Sequence, residues 1–322
     1  MYNALLIGCG NIGALYDFGS EEVQTHAKAF SLHGNFNLTF YDRDESLTKK
    51  IAERYTADII QDIDATDFSK FDCIIISSPT PSHAAFLEKA FHEKVGLVVC
   101  EKPLSLQTED IDHLILSYKN ASTKVIVNYF RRFLPAYKKL SDIITGIRQS
   151  QQLTNIVIRY QRGFVNNCSH AIDLLQYLLG TVIDLHPTSI HNVKFDHFKD
   201  DPTLSMQCFY EHTYVTITGL TGIEFSFFEV DIFFEKTGIL IRKGGDTFSV
   251  FTKPAATEDR TSISLPEDIS MEGCIKDYMK PIPKLVSAFL EGTIQEDNFL
   301  EAAYMNKQML QYIKNDYGKT SY

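Results

Sequence analysis

Short aliphatic runs separated by longer amphipathic stretches set the rhythm of residues 1–128. The runs "ALLIG" (4–8) and "NLTFYD" (37–42) read as first and second strands, and "CIIIS" (73–77), "LVVC" (97–100) and "KVIVN" (124–128) follow as short runs rich in β-branched residues. They suit strands of a parallel sheet buried on both faces. Between them Phe86, Leu87, Ala90 and Phe91 recur at helical spacing, as do Ile111, Leu114, Ile115 and Tyr118. Thr108 is the expected cap of the second of these helices, with Glu109 and Asp110 in its first turn. Such alternation predicts βα units. After Asn128 the pattern predicts a helix over 134–148, a strand over 155–160 and a helix over 168–179 ended by Gly180. From about 188 to 252, alternating runs such as "YVTITGL", "IEFSFFEVDIFFEK" and "TFSVF" predict a mainly antiparallel sheet with one covered face. Helices over 281–291 and 298–315 close the chain.

With 322 residues the chain exceeds one ordinary core, and the change of character gives two expected domains, 1–128 and 129–322. Residues are 44% hydrophobic and 22% charged, and no apolar run approaches the ~20 residues of a membrane helix, so neither a membrane nor a membrane partner is expected. "MYNALLIGCG" has no basic start and no small-residue cleavage site, so the expected compartment is the cytoplasm. Six scattered cysteines form neither a C-x-x-C pair nor a zinc pattern, and His186, His191 and His197 lack convergent spacing, so no metal is expected. A net charge of −10 argues against a nucleic-acid partner. Arg131 and Arg132 form a local basic pair suited to one small anion, such as a nucleotide diphosphate, or, for one of them, to an ion pair with an interdomain carboxylate.

Chemistry concentrates where strands end. "GCGNIG" places Gly8, Gly10 and Gly13, with Asn11 and Ile12 between them, directly after the first strand in the G-x-G-x-x-G spacing of a dinucleotide turn. Asp42 ends the second strand, where a carboxylate accepts from ribose hydroxyls and repels a 2′-phosphate, so NAD is favoured. Adjacent Arg43 keeps NADP open. Asp42 lies 29 residues past Gly13, beyond the usual spacing of about 20, because "YDFGSEEVQT" interrupts the first helix as a loop insertion. The alternative is a glycine turn without a ligand. "SSPTPSH" brings Ser78, Pro79, Thr80 and His83 to the same sheet edge, with His83 either near the cofactor or capping its helix. "CEKPL" ends the 97–100 strand with Glu101, Lys102 and Pro103, and proline holds Lys102 extended, by a cis bond or a trans one. In "NNCSHAIDLL" His170 falls in the first helical turn and shares a face with Asp173 and Tyr177. The helix dipole favours neutral imidazole there, a general base, while Asp173 opposes it. A structural role for His170 is the alternative.

Together "GCGNIG", "SSPTPSH", "CEKPL", "NYFRRFLPAY" and "NNCSHAIDLL" resemble the glucose-fructose oxidoreductase/inositol dehydrogenase/rhizopine catabolism (Gfo/Idh/MocA) family, in motif order from residue 1 to about 180. The resemblance implies an α/β fold, with an N-terminal Rossmann NAD(P)-binding domain and a C-terminal α/β domain on an open, mainly antiparallel sheet. It also implies a homodimer or homotetramer through that sheet. The implied activity is NAD(P)-dependent hydride transfer at a hydroxyl of a sugar, cyclitol or sugar nucleotide. By the same resemblance Lys102 contacts the reacting hydroxyl and nicotinamide, Glu101 lies near the nicotinamide ribose, and His170 is the acid/base. Asn128, Arg131, Arg132 and Asn166 fall to substrate. The family's common aspartate four residues before the histidine is here Asn166, which bonds a hydroxyl but takes no proton. The "NN-x-SH" pattern resembles a branch among sugar-nucleotide and surface-polysaccharide enzymes. Two rival readings are an NAD(H)-binding sensor without turnover and an enzyme that holds NAD for epimerisation or elimination.

Overall fold

A computed structural model describes residues 1–181, 184–253 and 268–317. The chain divides into two compact units, residues 1–130 with 277–311, and 131–276 with the remaining C-terminal residues. Among the described residues no helix is long and apolar enough to cross a membrane.

The first unit holds β1 (Tyr2–Ile7), α1 (His26–His33), β2 (Phe36–Tyr41), α2 (Glu45–Tyr55), β3 (Asp58–Ile59), β4 (Cys73–Ile76), α3 (His83–His92), β5 (Leu97–Cys100), α4 (Thr108–Asn120) and β6 (Lys124–Val127). The strands form one parallel sheet in the order β3-β2-β1-β4-β5-β6. That order reverses between β1 and β4, the place where a doubly wound sheet binds ligands outside its strand ends. The unbroken aliphatic runs follow from burial on both faces. Ile74, Ile75 and Ile76 are fully buried, each worth about 1.5–3 kcal/mol relative to exposure.

The second unit holds α5 (Pro135–Arg148), β7 (Leu153–Tyr160), α6 (Ser169–Leu179), β8 (His186–Lys194), β9 (Thr203–Tyr210), β10 (Thr213–Gly219), β11 (Phe228–Phe234), β12 (Thr237–Arg242), β13 (Thr247–Thr252) and β14 (Ile269–Met271). Its sheet runs β14-β13-β12-β11-β7-β10-β9-β8, with every neighbouring pair antiparallel except β7 and β10. Ile156, Ile158, Val230, Ile232, Ile239 and Ile241 bury one face of it. Two helices follow, α7 (Pro281–Leu290) and α8 (Phe299–Tyr317).

Three local expectations change. "IEFSFFEVDIFFEK" becomes a strand only from Phe228; the bond from Gln161 N to Phe227 O at 3.0 Å is the last of its ladder with β7, and Asn167 Nδ2 shares that carbonyl at 3.3 Å. Thr108 is the first residue of α4 rather than its cap. Ser105 Oγ instead accepts from Gln107 N at 3.0 Å and donates to Asp110 at 2.7 Å. The helical run containing His170 starts earlier than expected. A wide turn over Phe164–Cys168 leads without a break into α6.

Candidate active site

Every candidate cofactor residue in the first unit sits at the carboxyl end of a strand. After β1 the chain turns at Gly8 (φ +100°), where a Cβ would lie 2.6 Å from the Ser77 carbonyl carbon. A methyl at Gly13 would meet the Gly8 carbonyl oxygen. Gly10, by contrast, faces open space within 4 Å. The turn from Asn11 to Leu15 is wide, with Leu15 N and Tyr16 N bonding five residues back to Gly10 O and Asn11 O at 3.2 and 3.0 Å. Its opening N–H groups, on Asn11, Ile12 and Gly13, have no carbonyl of the same turn within reach. Amides left over at the start of a turn, beside a glycine with clearance, are what a pyrophosphate needs, so these residues fit the dinucleotide.

Asp42 follows β2, and its carboxylate accepts from Cys9 N at 2.7 Å and Asp44 N at 3.0 Å. It therefore ties the first strand's turn to the second while standing where a ribose would be bound. Burial, then the Asp42 charge, pushes the Cys9 thiol up to about 12, so it is no nucleophile. All six cysteines are free and buried.

After β4, Ser77 Oγ donates to Gly8 O at 2.7 Å, and Ser78 exchanges a 2.7 Å hydrogen bond with Ser82. Pro79 and Thr80 lead through a single tight turn into α3. His83 opens α3 but does not cap it. It is buried, with Nδ1 2.9 Å from Pro103 O and Nε2 2.7 Å from Ser78 O. Burial holds its pKa below the usual value, against the pull of both carbonyls and Glu101. It thus ties together the two loops that follow β4 and β5.

Beyond β5 the parallel ladder continues through Glu101 N to Ile76 O and Asn128 N to Cys100 O, both at 2.8 Å. Both residues are thereby fixed by backbone. The Lys102-Pro103 peptide is cis. Glu101 Oε1 lies 2.8 Å from His26 Nε2 and 2.7 Å from Asn128 Nδ2, all three residues being buried. Burial would raise the Glu101 carboxyl, but the His26 and Asn128 contacts and the Lys102 charge outweigh it and hold it below the usual range.

In the second unit, Asn166 and His170 lie on the run that leads through α6, both half-buried, with Asp173 fully buried. Arg132 grips Asp173 with two bonds, Nε to Oδ2 at 3.1 Å and Nη2 to Oδ1 at 2.6 Å, and lies 5.9 Å from the Tyr177 ring centre. Arg131 is buried, donates to Gly244 O at 2.6 Å and stacks 4.1 Å over Phe228. The carboxylate that Arg132 pairs with thus belongs to its own unit rather than to another domain. Asn166 Nδ2 donates to Arg162 O at 3.1 Å. Because the run begins at Phe164, His170 stands more than one turn from its N-terminus. The dipole acting on the imidazole is correspondingly weaker than in a first turn.

Sequence reasoning missed four supporting residues. Asp201 accepts from Val165 N at 2.8 Å and Asn166 N at 2.7 Å, capping the run from another segment. His26 comes from the helix after the insertion, positioned because Asp17 accepts from Gln24 N at 2.7 Å and Thr25 N at 2.9 Å. Asn306 Oδ1 accepts from Leu104 N at 3.0 Å and Ser105 N at 3.3 Å, and Asn298 bonds both ways to Val127 at 2.8 and 2.9 Å. Only the Thr25 cap ahead of "HAKAF" is a local signal; the rest are long-range contacts.

Residues 2–129 match the model of the Gfo/Idh/MocA oxidoreductase family, described as an oxidoreductase family with an NAD-binding Rossmann fold. The match and the sheet order support NAD(P) binding by the first unit. Over 190 residues the chain is 26% identical to inositol 2-dehydrogenase of Rhizobium meliloti, covering 54% of each protein. It is also 26% identical over 196 residues to 2,7-anhydro-N-acetylneuraminate hydratase of Escherichia coli, covering 55% of this chain and 50% of that one. The chain thus spans about half the length of these curated relatives. A 3-ketoreductase from Actinomadura kijaniata, solved in complex with NADP and TDP-benzene, shares the fold with a TM-score of 0.74. That pair is 12% identical, and the match covers 98% of this chain and 97% of that one.

Proposed function

We propose that this protein is an NAD(P)-dependent oxidoreductase that transfers hydride between nicotinamide and a hydroxyl-bearing carbon of a sugar, cyclitol or sugar nucleotide. The observation that carries this reading is the Glu101–Lys102 pair, anchored at the end of β5 on the sheet edge that also presents the open Gly10 turn and Asp42. The inositol dehydrogenase relative supports the cyclitol class.

Bound nicotinamide supplies the hydride acceptor or donor. Gly8, Gly10, Asn11, Ile12 and Gly13 receive the pyrophosphate on backbone amides, Asp42 meets the adenosine ribose, and Arg43 leaves NADP admissible. Ser78, Pro79 and Thr80 line the same edge, with His83 holding their loop. Lys102, as ammonium, donates to the substrate oxygen and stabilises its developing negative charge. His170 takes the hydroxyl proton on oxidation and returns it on reduction. Asn166 and Asn128 bond neighbouring hydroxyls. Asp173 is held by Arg132, so in this reading the pair shapes the face that presents His170, and Arg131 braces it. A cytoplasmic location is supported by six free, buried thiols, and a homodimer or homotetramer through the second unit's sheet completes the proposal.

The test is reduced-nicotinamide absorbance with NAD or NADP across free sugars, inositols and UDP-, GDP- and CMP-sugars. A signal with one class, falling about 10²–10³-fold in Lys102→Met with dinucleotide binding retained, is expected. Near-normal turnover by Lys102→Met would sink the scheme. The hydratase relative favours one second reading, elimination with retained NAD; product formed without added dinucleotide would select it.

A further inference from the structure

The insertion that displaces the first helix ends by delivering a fully buried imidazole. His26 is the first residue of α1, after the Thr25 cap, and its Nε2 stands 2.8 Å from Glu101 Oε1 across 75 residues of sequence. An ionised carboxylate only accepts, so Nε2 carries the hydrogen. Asn128 Nδ2 reaches the same oxygen at 2.7 Å. His26 Nδ1 and Asn128 Oδ1 have no partner among the described residues. A buried histidine with one satisfied nitrogen is costly unless its single bond matters. That bond falls on the residue preceding Lys102.

We propose that His26 is the positioning residue of Glu101, holding it as an anion in one orientation beside Lys102. The consequence for dinucleotide binding rests on the oxidoreductase reading; the clamp itself does not. Glu101 faces His26 from α1, Lys102 and Cys100 on its own segment and His83 from α3, with neutral Asn128 from β6. Among these the His26 bond is the first influence opposing burial. The sign follows. The folded Glu101 carboxyl titrates below its unfolded value, so its stabilisation is complete above the unfolded carboxylate range and is lost as pH falls through the folded one.

Two measurements decide the matter. Urea unfolding of wild type, His26→Leu, Glu101→Gln and the double variant, without ligand, should show coupling at pH 7 equivalent to about 5- to 30-fold in the unfolding constant. The coupling should fade once Glu101 protonates. Additive single effects would overturn the clamp. His26→Gln keeps an N–H donor and should restore most of the coupling, also serving if the leucine variant does not fold.

Fluorescence titration with NADH from pH 5.5 to 8.5 should place the acidic loss of affinity at higher pH in His26→Leu, about tenfold per unit of Glu101 pKa displaced, with His26→Gln near wild type. Unchanged titrations despite the coupling would overturn the positioning role. Absence of dinucleotide binding by wild type would instead defeat the oxidoreductase reading, leaving the unfolding cycle to decide the clamp.

Discussion

At the scale of single residues, three glycines within one six-residue stretch serve different ends. Gly8 and Gly13 are required by the protein itself, since a Cβ at Gly8 collides with backbone after β4 and one at Gly13 with backbone after β1. Gly10 is not, because nothing lies within 4 Å of a Cβ there and its φ of −69° suits any residue. Only a ligand's approach demands its smallness. Gly10→Ala should therefore melt within about 0.5 kcal/mol of wild type yet bind NADH at least tenfold more weakly. Gly13→Ala should lose stability outright. Thermal melts beside NADH titrations separate the two, and a Gly10→Ala protein that binds normally would mean that the turn does not hold the pyrophosphate.

At the scale of elements, helix α6 shows what a helix needs from elsewhere. Its run, from Phe164, is preceded by Gly163 in a conformation (φ +84°) where any Cβ would strike Asp201, and the Asp201 carboxylate caps Val165 N and Asn166 N. Asp201→Ala leaves the buried Val165 amide and the half-buried Asn166 amide without this cap and should cost about 1–3 kcal/mol, lowering the melting temperature by several degrees. If His170 acts as proposed, turnover should fall further than dinucleotide binding. Equal losses in both would place Asp201 outside the acid/base machinery. Nothing in "NNCSHAIDLL" announces this cap, because Asp201 is 35 residues from Asn166. Five of the six strands of the first sheet were legible to within a residue or two, since double burial imposes aliphatic runs; β3, two exposed residues at the sheet edge, carried no such run and was not read. The glycine turn, Asp42 and the Glu101-Lys102-Pro103 step were legible from spacing at strand ends. His26, Asp201, Asn298 and Asn306 were not, because hydrogen bonds between distant segments leave no period in the chain. The insertion after Gly13 read as an interruption and proved to be the path to His26, organised by Asp17.

At the scale of the whole molecule, the second sheet poses the question of its other face. Side chains of Phe209, Tyr214, Asn155, Phe233 and Phe251 fall in one row across β9, β10, β7, β11 and β13, with Gly238 making room for the Phe251 ring. Phe209 is 40% exposed and meets Tyr214 edge-on at 5.5 Å. Two to four residues further along the strands the face becomes ionic. Arg159 bonds Asp231 at 2.9 Å and Glu229 at 3.1 Å, and Arg242 reaches the same two carboxylates. The charges compensate one another within the face, so no net repulsion opposes a second copy, and the aromatic row supplies apolar area to bury. Light scattering on wild type should therefore give a multiple of the 36.6 kDa chain mass. Phe209→Lys should shift it toward monomer by placing an unpaired cation in the covered row. Phe225→Lys, equally aromatic and 61% exposed but on a loop outside the row, should leave the mass unchanged. A monomeric wild type, or an oligomer indifferent to Phe209→Lys, would remove this face from the proposed assembly and leave the row as exposed surface.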